Sequence, residues 1–358
     1  MKSKKEHEVK RKFGNNLSNN LKVINAKSKE NINSNIQNYT FLNEKNYKIK
    51  DRLKSKKSQI HSKKEIKNQF KIILENPKEP NTLFLDEYLQ DIIKNIIFHE
   101  HDNIVDYFNY EIFSLQDTQY INENSRKSII ELIAYYCYLW KLNTDSIYLF
   151  VNIMDRYIQK NKIKNNEYEL IGLASFFIAS KYEDIYSPDV EAISKIFSFK
   201  YHYEDILDKE SQILQSLDYR FYYISSFKVL NLLYYLSDIN NINVLHFASM
   251  ALELSLIDLN IMKYSQIKRA VASFILAKKV FQIKSGNNFI KLLFYYEEKE
   301  IDIITKKLLI VLRDIVVLKD KNNLIAEKYR SSKFNSIFSS FEINLEKKIS
   351  KMNKSKEK

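Results

Sequence analysis

Two charged residues lie where a helical pattern calls for apolar ones. Lys181 follows Phe177 along an apolar helical stripe, and Glu210 lies between Ile206 and Ile213 on another. A charge in such a position must reach solvent, pair with an opposite charge, or face a partner. The sequence leaves two interpretations open. One is an intramolecular Lys181–Glu210 salt bridge, or a lysine reaching solvent at a helix end, without further function. The other is an apolar surface whose opposite charges fix the register of a bound partner.

A second charged pair has a similar logic but a different expected role. Asp155 lies one turn from Val151, at the edge of an apolar stripe, and Arg126 lies at the start of the preceding predicted helix. An Arg126–Asp155 ion pair would hold those two helices together. We therefore interpret this pair as structural and assign neither residue to catalysis.

No arrangement of residues in the sequence predicts an active site or a metal site. His99 and His101 are the one close histidine pair, and an i,i+2 spacing points the two rings to different helix faces. The single cysteine, Cys137, excludes a disulfide scaffold or a cysteine-based zinc site. Neither GxGxxG nor GxxxxGK[ST] occurs. We expect a protein that is not an enzyme and that holds no metal and no cofactor.

The positive charge of the chain is confined to its first part. Residues 1–80 contain 21 Lys+Arg and 8 Asp+Glu, whereas residues 81–358 contain 36 of each. The Asn/Lys/Ser-rich composition of 1–80 predicts a disordered basic extension. This extension is either a solvated segment that reflects biased genome composition or a segment for localisation or anchoring. The neutral remainder argues against direct nucleic-acid binding. No apolar run reaches the length of a membrane span, so we expect a soluble intracellular protein without a membrane partner.

Apolar residues recur at helical spacing from Asn81 onward, and no alternating pattern interrupts them. The stripes are Leu83, Tyr88, Ile92, Ile96 and Phe98; Ile129, Ile133, Cys137 and Trp140; Ile147, Val151, Met154 and Ile158; Leu170, Ala174, Phe177 and Ile178; and Ile206, Ile213, Leu214 and Leu217. Asn81 or Thr82 is a candidate cap for the first helix, and Thr144 for the third. The pattern predicts an all-α body.

A small-residue helix occurs twice. ASFFIASK at 174–181 returns as ASFILAKK at 272–279. Alanine and serine along one face allow neighbouring helices to approach closely, as a central helix surrounded by others requires. A chance match and a duplication both remain open. Two five-helix domains of similar length fit the remaining chain.

At this point the residues resemble a known family. LFVNIMDRYI (149–158) resembles the L-A-V-x-x-x-D-R-F-L helix of A/B-type cyclins. ELIGLASFFIASKYEDIYSPDV (169–190) resembles the family's Q-L-V-G-x-x-A-x-x-I-A-x-K-Y-E-E-I-Y-P-P-x-V. DILDKESQILQSLDYRF (205–221) resembles the helix that carries the M-E motif, and 251–281 resembles the second cyclin box. The resemblance extends over about residues 83 to 335. It implies two tandem five-helix cyclin-fold domains after a short N-terminal helix and a disordered basic tail.

The resemblance also implies domain limits. They are a disordered basic extension at 1–80, a helix with its linker at 81–124, a first cyclin box at 125–224, a second cyclin box at 225–335 and a basic C-terminal tail at 336–358.

The resemblance further implies the role of the two misplaced charges. In cyclins, the lysine of the K-Y/F-E-E motif and the glutamate of the M-E helix contact the C-helix region of the kinase, and these fall on Lys181 and Glu210. The family's apolar kinase contacts and its acidic pair fall on Ile178, Tyr182, Leu214 and Tyr219, and on Glu183 and Asp184. Arg126 and Asp155 fall on the family's buried structural pair.

The substrate-docking patch of A-type cyclins is degenerate in this sequence. The family's M-R-A-I-L-V-D-W reads SRKSIIEL at 125–132, and the docking glutamine becomes Glu169. The corresponding patch comprises Ile129, Leu132, Tyr168 and Glu169. We expect weak or altered recognition of RxL motifs. In the second box, Gln266 and Ile267 replace the usual P-S before a helix.

The basic extension carries the triplet Lys29-Glu30-Asn31, which matches the KEN degron. In a Lys- and Asn-rich segment the triplet is either accidental or a signal that a ubiquitin ligase reads.

Three functions follow from the resemblance. The first is a regulatory subunit that binds and activates a cyclin-dependent protein kinase by packing on its C-helix, in the nucleus, the cytoplasm or both. The second is a scaffold that binds a kinase or another partner without activating it. The third, a cyclin-fold transcription factor, is disfavoured because that class needs a zinc ribbon and a basic surface.

Overall fold

The computed structural model describes residues 83–100, 102, 105, 107, 123–161, 163, 167–237, 239–283, 290, 296–317 and 323–345. Every regular element in these ranges is helical, which confirms the predicted all-α fold. The α-helices are α1 Leu83–Phe98, α2 Glu123–Leu139, α3 Asp145–Lys160, α4 Tyr168–Glu183, α5 Val190–Lys195, α6 Tyr203–Ser216, α7 Ser226–Leu236, α8 Ile242–Leu254, α9 Leu259–Met262, α10 Gln266–Val280, α11 Glu298–Val317 and α12 Leu324–Arg330.

The first helical domain is built around α4. This helix contacts α2, α3, α5 and α6, and its middle turns are fully buried. Small residues make the close approach of its neighbours possible. A Cβ added at Gly172 would lie 2.8 Å from Cγ2 of Ile129 on α2. The predicted small-residue helix is therefore the centre of this domain.

The second domain repeats the arrangement around α10, which contacts α7, α8 and α11. The two copies of the small-residue segment lie in α4 and α10. The hydroxyl of Ser265 accepts a hydrogen bond from the backbone N–H of Lys268 and caps α10. This cap explains why the helix begins at Gln266 although the sequence lacks the family's P-S.

Two local expectations differ from the structure. Among the α1 side chains that the structure describes, Ile93 and Ile96 are buried, whereas Tyr88 and Phe98, which the predicted stripe includes, are exposed. Thr144 occupies the cap position of α3, but its side chain makes no cap hydrogen bond. Helix positions on a marginal stripe are decided by the surrounding packing rather than by spacing alone.

The end of the described chain returns to both domains. α12 contacts α2 of the first domain and α8 of the second. The Nζ of Lys328 lies 2.7 Å and 2.8 Å from the two carboxylate oxygens of Glu253 on α8, and the Tyr329 hydroxyl donates to the same carboxylate. All three side chains are buried. This pair anchors α12 to the core.

The structure departs from the C-terminal tail expected from residue 336. Residues 337–345 are helical, and Ile337, Phe338 and Phe341 are buried. The ring centroids of Phe341 and Phe247 of α8 are 5.3 Å apart. Aromatic burial therefore keeps this stretch on the domain, although the basic composition of 336–358 as a whole suggested a tail. No helix within the described ranges has both the length and the apolar character needed to cross a membrane.

Candidate functional site

The structure brings Lys181 and Glu210 together at the surface of the first domain. Lys181 lies in the last turn of α4, and its Nζ donates a hydrogen bond to Oε1 of Glu210 on α6. The same Nζ lies 3.9 Å from the centroid of the Phe177 ring. The Lys181 side chain is 40% exposed, whereas that of Glu210 is largely buried. The pair thus forms within the chain and also remains accessible from outside it.

The predicted apolar contacts surround this pair at different depths. Ile178 is buried and Leu214 is half-buried, so both support the surface from below. Tyr182 and Tyr219 are exposed. Tyr219 follows the end of α6 with φ 56°, in the left-handed region that favours glycine. A tyrosine held in this conformation is the kind of local strain that occurs at binding sites.

Sequence reasoning missed two residues beside the site. Ile185 and Tyr186 follow the end of α4 and are 92% and 88% exposed. Large apolar side chains this exposed, next to an accessible ion pair, form a surface suited to burial against another protein. A signal was available, because both stand in a short segment between the end of a predicted helix and Pro188.

The carboxylates of Glu183 and Asp184 are engaged within the chain. Asp184 accepts hydrogen bonds from the backbone N–H of Asn143 and from the hydroxyl of Ser146, both at 2.6 Å. Glu183 accepts from Nζ of Lys228 on α7 at 2.9 Å and 3.1 Å. These contacts tie the end of α4 to the start of α3 and to the second domain. They hold the segment that carries Ile185 in place.

A buried acid lies close to this junction. Burial raises the pKa of Asp145, opposed by the hydrogen bond that its carboxylate accepts from the Ser225 hydroxyl. For Lys228, burial lowers the pKa, but the hydrogen bond to Glu183 and the negative charges of Asp145 and Glu183 outweigh it, so the pKa is raised. Lys228 therefore remains a cation bridging the two domains.

Arg126 and Asp155 meet in the interior of the protein. The guanidinium donates two hydrogen bonds to the carboxylate, at 3.1 Å and 2.7 Å, and a third at 2.6 Å to the carbonyl of Leu256 in the second domain. The Tyr107 hydroxyl donates to Asp155 at 2.8 Å. Burial, and then the charge of Asp155, raise the pKa of Tyr107 well above its usual value. Sequence reasoning missed Tyr107 and Leu256, for which it offered no signal.

The four residues of the predicted substrate-docking patch are only partly accessible. Ile129 and Tyr168 are buried, whereas Leu132 and Glu169 are half-buried. The Glu169 carboxylate accepts hydrogen bonds from Nζ of Lys200 at 2.5 Å and from the Tyr201 hydroxyl at 3.0 Å. The face therefore presents parts of two side chains, one of which is already paired.

Two predictions concern other kinds of site. Lys29, Glu30 and Asn31 of the KEN match lie outside the described residues, as does the rest of the basic extension 1–80. Within the described ranges, no group of three His, Cys, Asp or Glu side chains is placed to hold a metal ion.

Two family models match consecutive segments of the helical part of the chain. The cyclin N-terminal domain matches residues 91–222, and the cyclin C-terminal domain matches residues 223–342. Together they cover more than half of the chain.

Named relatives agree with these matches. A G2/mitotic-specific cyclin-B of Patella vulgata is 27% identical over 265 residues, which is 72% of this chain and 61% of the relative. One of Emericella nidulans is 24% identical over 270 residues, 73% of this chain and 55% of the relative. A G2/mitotic-specific cyclin-2 of Antirrhinum majus is 32% identical over 140 residues, 39% of this chain and 30% of the relative. The chain thus spans less than two thirds of the length of each relative.

A solved structure shares the fold. The X-ray structure of a viral cyclin from herpesvirus saimiri superimposes with a TM-score of 0.53 at 16% identity, and covers 62% of this chain and 97% of the viral one. At that identity the likeness concerns the fold alone. The two domain matches, together with relatives named as mitotic cyclins, show that this chain belongs to the cyclin family.

Proposed function

We propose that this chain is a regulatory subunit that binds and activates a cyclin-dependent protein kinase and so controls cell-cycle progression. The observation that supports this most directly is the accessible Lys181–Glu210 pair at the junction of α4 and α6. Its position matches the kinase-contacting charges of the family that the chain belongs to. The relatives named as mitotic cyclins support the same role.

The physical basis of binding is the combination of charge and apolar area at one surface. Tyr182, Ile185, Tyr186 and Tyr219 are exposed beside the pair, and their burial against a kinase helix would stabilise the complex. Lys181 and Glu210 would exchange part of their mutual contact for charged groups of the kinase and so fix the register of binding.

Activation would follow from the position of the kinase helix. A cyclin that holds the C-helix inward allows the glutamate of that helix to pair with the ATP-binding lysine and allows the activation loop to reorganise. In this proposal the chain contributes no catalytic atom. The kinase supplies the catalytic groups.

The experiment is co-purification of the full chain with candidate cyclin-dependent kinases, followed by a histone phosphorylation assay. The test variant is the charge swap Lys181→Glu/Glu210→Lys, which retains an ion pair within the chain but presents the opposite polarity to a partner. A matched control is Lys268→Glu/Glu300→Lys, because Lys268 and Glu300 form a comparable half-buried pair, at 2.8 Å, in the second domain. Circular dichroism and thermal unfolding establish that both variants fold.

The outcomes separate the candidate functions. Activity with the wild type and the control, but not with the Lys181/Glu210 swap, supports the activator and this interface. A kinase that binds without becoming active supports the scaffold instead. If no candidate kinase binds, the proposal fails and the family membership describes the fold alone.

The remaining proposals concern where the protein acts and what limits its lifetime. We propose that the protein, as a kinase regulator, is located in the nucleus, in the cytoplasm or in both. The KEN match in the basic extension leads us to propose a ubiquitin ligase as a second partner. Replacing Lys29, Glu30 and Asn31 with alanine should lengthen the protein's half-life after mitosis, and an unchanged half-life would contradict this role.

A further inference from the structure

The outer face of α11 carries an unusual stripe of exposed side chains in the second domain. It alternates basic and apolar residues at spacings of four and three along five turns of the helix. Its members, which we call the α11 stripe, are Lys299, Ile303, Lys306, Ile310, Arg313 and Val317. All six are exposed, and each of the three apolar ones is about half exposed.

The opposite face of α11 already supplies the packing that the domain needs. Ile304, Leu308 and Leu312 are buried against the core. The stripe lies on the far side of the helix, because its members are offset from the core positions by about half a turn. Its apolar members therefore contribute nothing to the domain's interior, and they are not explained by the fold.

The apolar members repeat every seven residues and are all β-branched. This is the pattern of one position in a helix that packs against a second helix, where isoleucine and valine at successive heptad positions fit into the partner's surface. The basic members, Lys299, Lys306 and Arg313, also repeat every seven residues. The stripe thus presents one apolar and one basic residue in each heptad.

Neighbouring charges on α11 are neutralised, but two of the stripe's charges are not. Glu300 pairs with Lys268, and Asp302 pairs with Lys279. By contrast, neither Lys299 nor Lys306 makes a hydrogen bond or an ion pair with any residue that the structure describes. Arg313 contacts the adjacent Asp314 at 2.7 Å.

From this arrangement we infer that the α11 stripe is a docking surface for an acidic amphipathic helix of another protein. Such a helix would place apolar side chains against Ile303, Ile310 and Val317 and carboxylates against Lys299 and Lys306. The stripe from residue 299 to 317 is about 27 Å long, so a helix of about 18 residues would cover it. The carboxylates would recur at intervals of about seven residues to match the basic positions.

Charge and shape favour this occupant over two others. A second copy of the chain would set the stripe's basic residues against one another in a parallel pair, or against its apolar residues in an antiparallel pair, and both arrangements are unfavourable. A membrane-binding helix needs a broad apolar face that enters the lipid. Here the broad apolar face of α11 is buried in the domain, and the outward apolar residues among those described are Ile303, Ile310 and Val317 of the stripe with Leu309 beside them.

The surface is small, so the expected interaction is transient rather than permanent. It is separate from the proposed kinase-binding surface, which lies on α4 and α6 of the first domain. The two inferences can therefore fail independently.

The test uses the full chain and a pair of fluorescent helical peptides in an anisotropy titration. Each peptide has about three heptads with leucine at one seam position. The other seam position is glutamate in one peptide and lysine in the other. We expect wild-type protein to bind the glutamate peptide at least about tenfold more tightly than the lysine peptide at low salt, with the difference shrinking as salt is added.

Two variants locate the binding on the stripe. Lys299→Glu/Lys306→Glu should reverse the preference between the two peptides, and Ile310→Ser should weaken binding of the glutamate peptide by about fivefold or more. The control Leu139→Ser/Lys195→Glu changes exposed residues of the first domain and should alter neither titration. Kinase activation by all three variants should equal that of the wild type.

Several results would overturn the inference. One is an absence of discrimination between the peptides. Another is discrimination that survives the Lys299/Lys306 reversal, which would locate the binding elsewhere. Absence of binding at millimolar peptide would also overturn the inference. Binding of the wild type, but not of the reversed variant, to anionic vesicles without peptide discrimination would assign the stripe to membranes. Self-association that Ile310→Ser abolishes would assign it to a second copy.

Discussion

The first domain contains two ion pairs that join helices, and their surroundings differ. Arg126 and Asp155 are almost completely buried, and hydrogen bonds from Tyr107 and to the carbonyl of Leu256 complete the site. Lys181 and Glu210 make one hydrogen bond at the surface, with an exposed lysine and exposed tyrosines beside it. The same chemistry thus appears once with every group satisfied internally and once with capacity left for a partner.

Surroundings, rather than residue type, decide whether such a pair is confined to the interior or keeps capacity for a partner. A buried pair is costly to break because the remaining charge has no solvent to compensate it. In the Lys181–Glu210 pair the lysine is exposed, so water solvates it when the pair opens, and we expect the pair to contribute less to stability although Glu210 is largely buried. The first kind should therefore be revealed by unfolding measurements and the second by binding measurements.

The largest expected effect comes from Arg126→Ala. Removal of the guanidinium leaves the Asp155 carboxylate and the Leu256 carbonyl buried without this donor. We expect a loss of about 3–5 kcal/mol in the free energy of unfolding, measured by urea denaturation. A loss below about 1 kcal/mol would mean that the interior pair behaves like a surface pair, which would contradict the proposed difference between the two pairs.

A double variant separates the charge from the packing. Arg126→Met/Asp155→Leu removes both charges and keeps apolar volume, so it should be less destabilising than Arg126→Ala. If it is more destabilising, the loss of the Asp155 acceptor for the buried Tyr107 hydroxyl, which only the double variant suffers, outweighs the cost of leaving the Asp155 carboxylate unpaired.

The next largest effect is expected in the second domain, where Lys328 and Glu253 form the counterpart of the buried pair. Lys328→Met leaves the Glu253 carboxylate buried with the Tyr329 hydroxyl as its donor. We expect a loss of about 3 kcal/mol in unfolding free energy. Because α12 contacts both domains, hydrogen exchange of its backbone amides should accelerate as well. Unchanged exchange would show that α12 is held by its apolar contacts alone.

Gly172→Ala tests whether close packing, rather than the ion pair, holds α2 in place. The new Cβ would lie 2.8 Å from Cγ2 of Ile129, a β-branched side chain with little freedom to move. We expect a loss of about 1–3 kcal/mol. Leu173→Ala on the same helix is the control, because it creates a cavity instead of a clash. If both variants lose similar stability but α2 shifts only in Gly172→Ala, the clash is the cause of the loss in Gly172→Ala.

The sequence was sufficient for the fold because its signals are local and repeated. Helical stripes and small-residue segments predicted an all-α chain with a central helix in each domain, and α4 and α10 are those helices. The two charges that conflict with an apolar stripe, Lys181 and Glu210, were also identifiable, since a charge among apolar positions stands out at short range. The matches to both cyclin domains confirm the family.

The remaining details depend on contacts between residues far apart in the chain. Nothing near Asp155 indicates that Tyr107 donates to it, and nothing near Arg126 indicates the carbonyl of Leu256. The same is true of Glu183, whose partner Lys228 lies in the second domain. Residues 337–345 were assigned to a tail because residues 336–358 as a whole are basic, although this segment itself contains Ile337, Phe338 and Phe341, which are buried against the domain.

A smaller effect is expected when the charges of the surface pair are removed together. Lys181→Met/Glu210→Leu keeps the apolar stems of both side chains and should change the unfolding free energy by less than about 1 kcal/mol. Binding of the kinase identified by co-purification should nevertheless be lost, because the charged groups of that kinase would face apolar side chains. A stability loss comparable to that of Arg126→Ala would instead make this pair structural.

The smallest expected effect concerns a half-buried histidine that forms no ion pair with any residue in the described ranges, in contrast to the two pairs above. Burial lowers the pKa of His246, opposed by a backbone hydrogen bond at Phe334. The neutral ring is therefore favoured in the folded protein, and its contribution to stability is fully present above the unfolded pKa of about 6.5. As the pH falls below that value, the unfolded chain takes up a proton more readily, and stability declines. His246→Phe retains an aromatic ring beside Phe334, 5.3 Å away in the wild type, and removes the titration. The difference between the urea midpoints of wild type and variant should consequently shift against the wild type between pH 7 and pH 5. A difference that stays constant over this range would mean that His246 has the same proton affinity in both states, and that the lack of a counter-charge has no energetic consequence at this position.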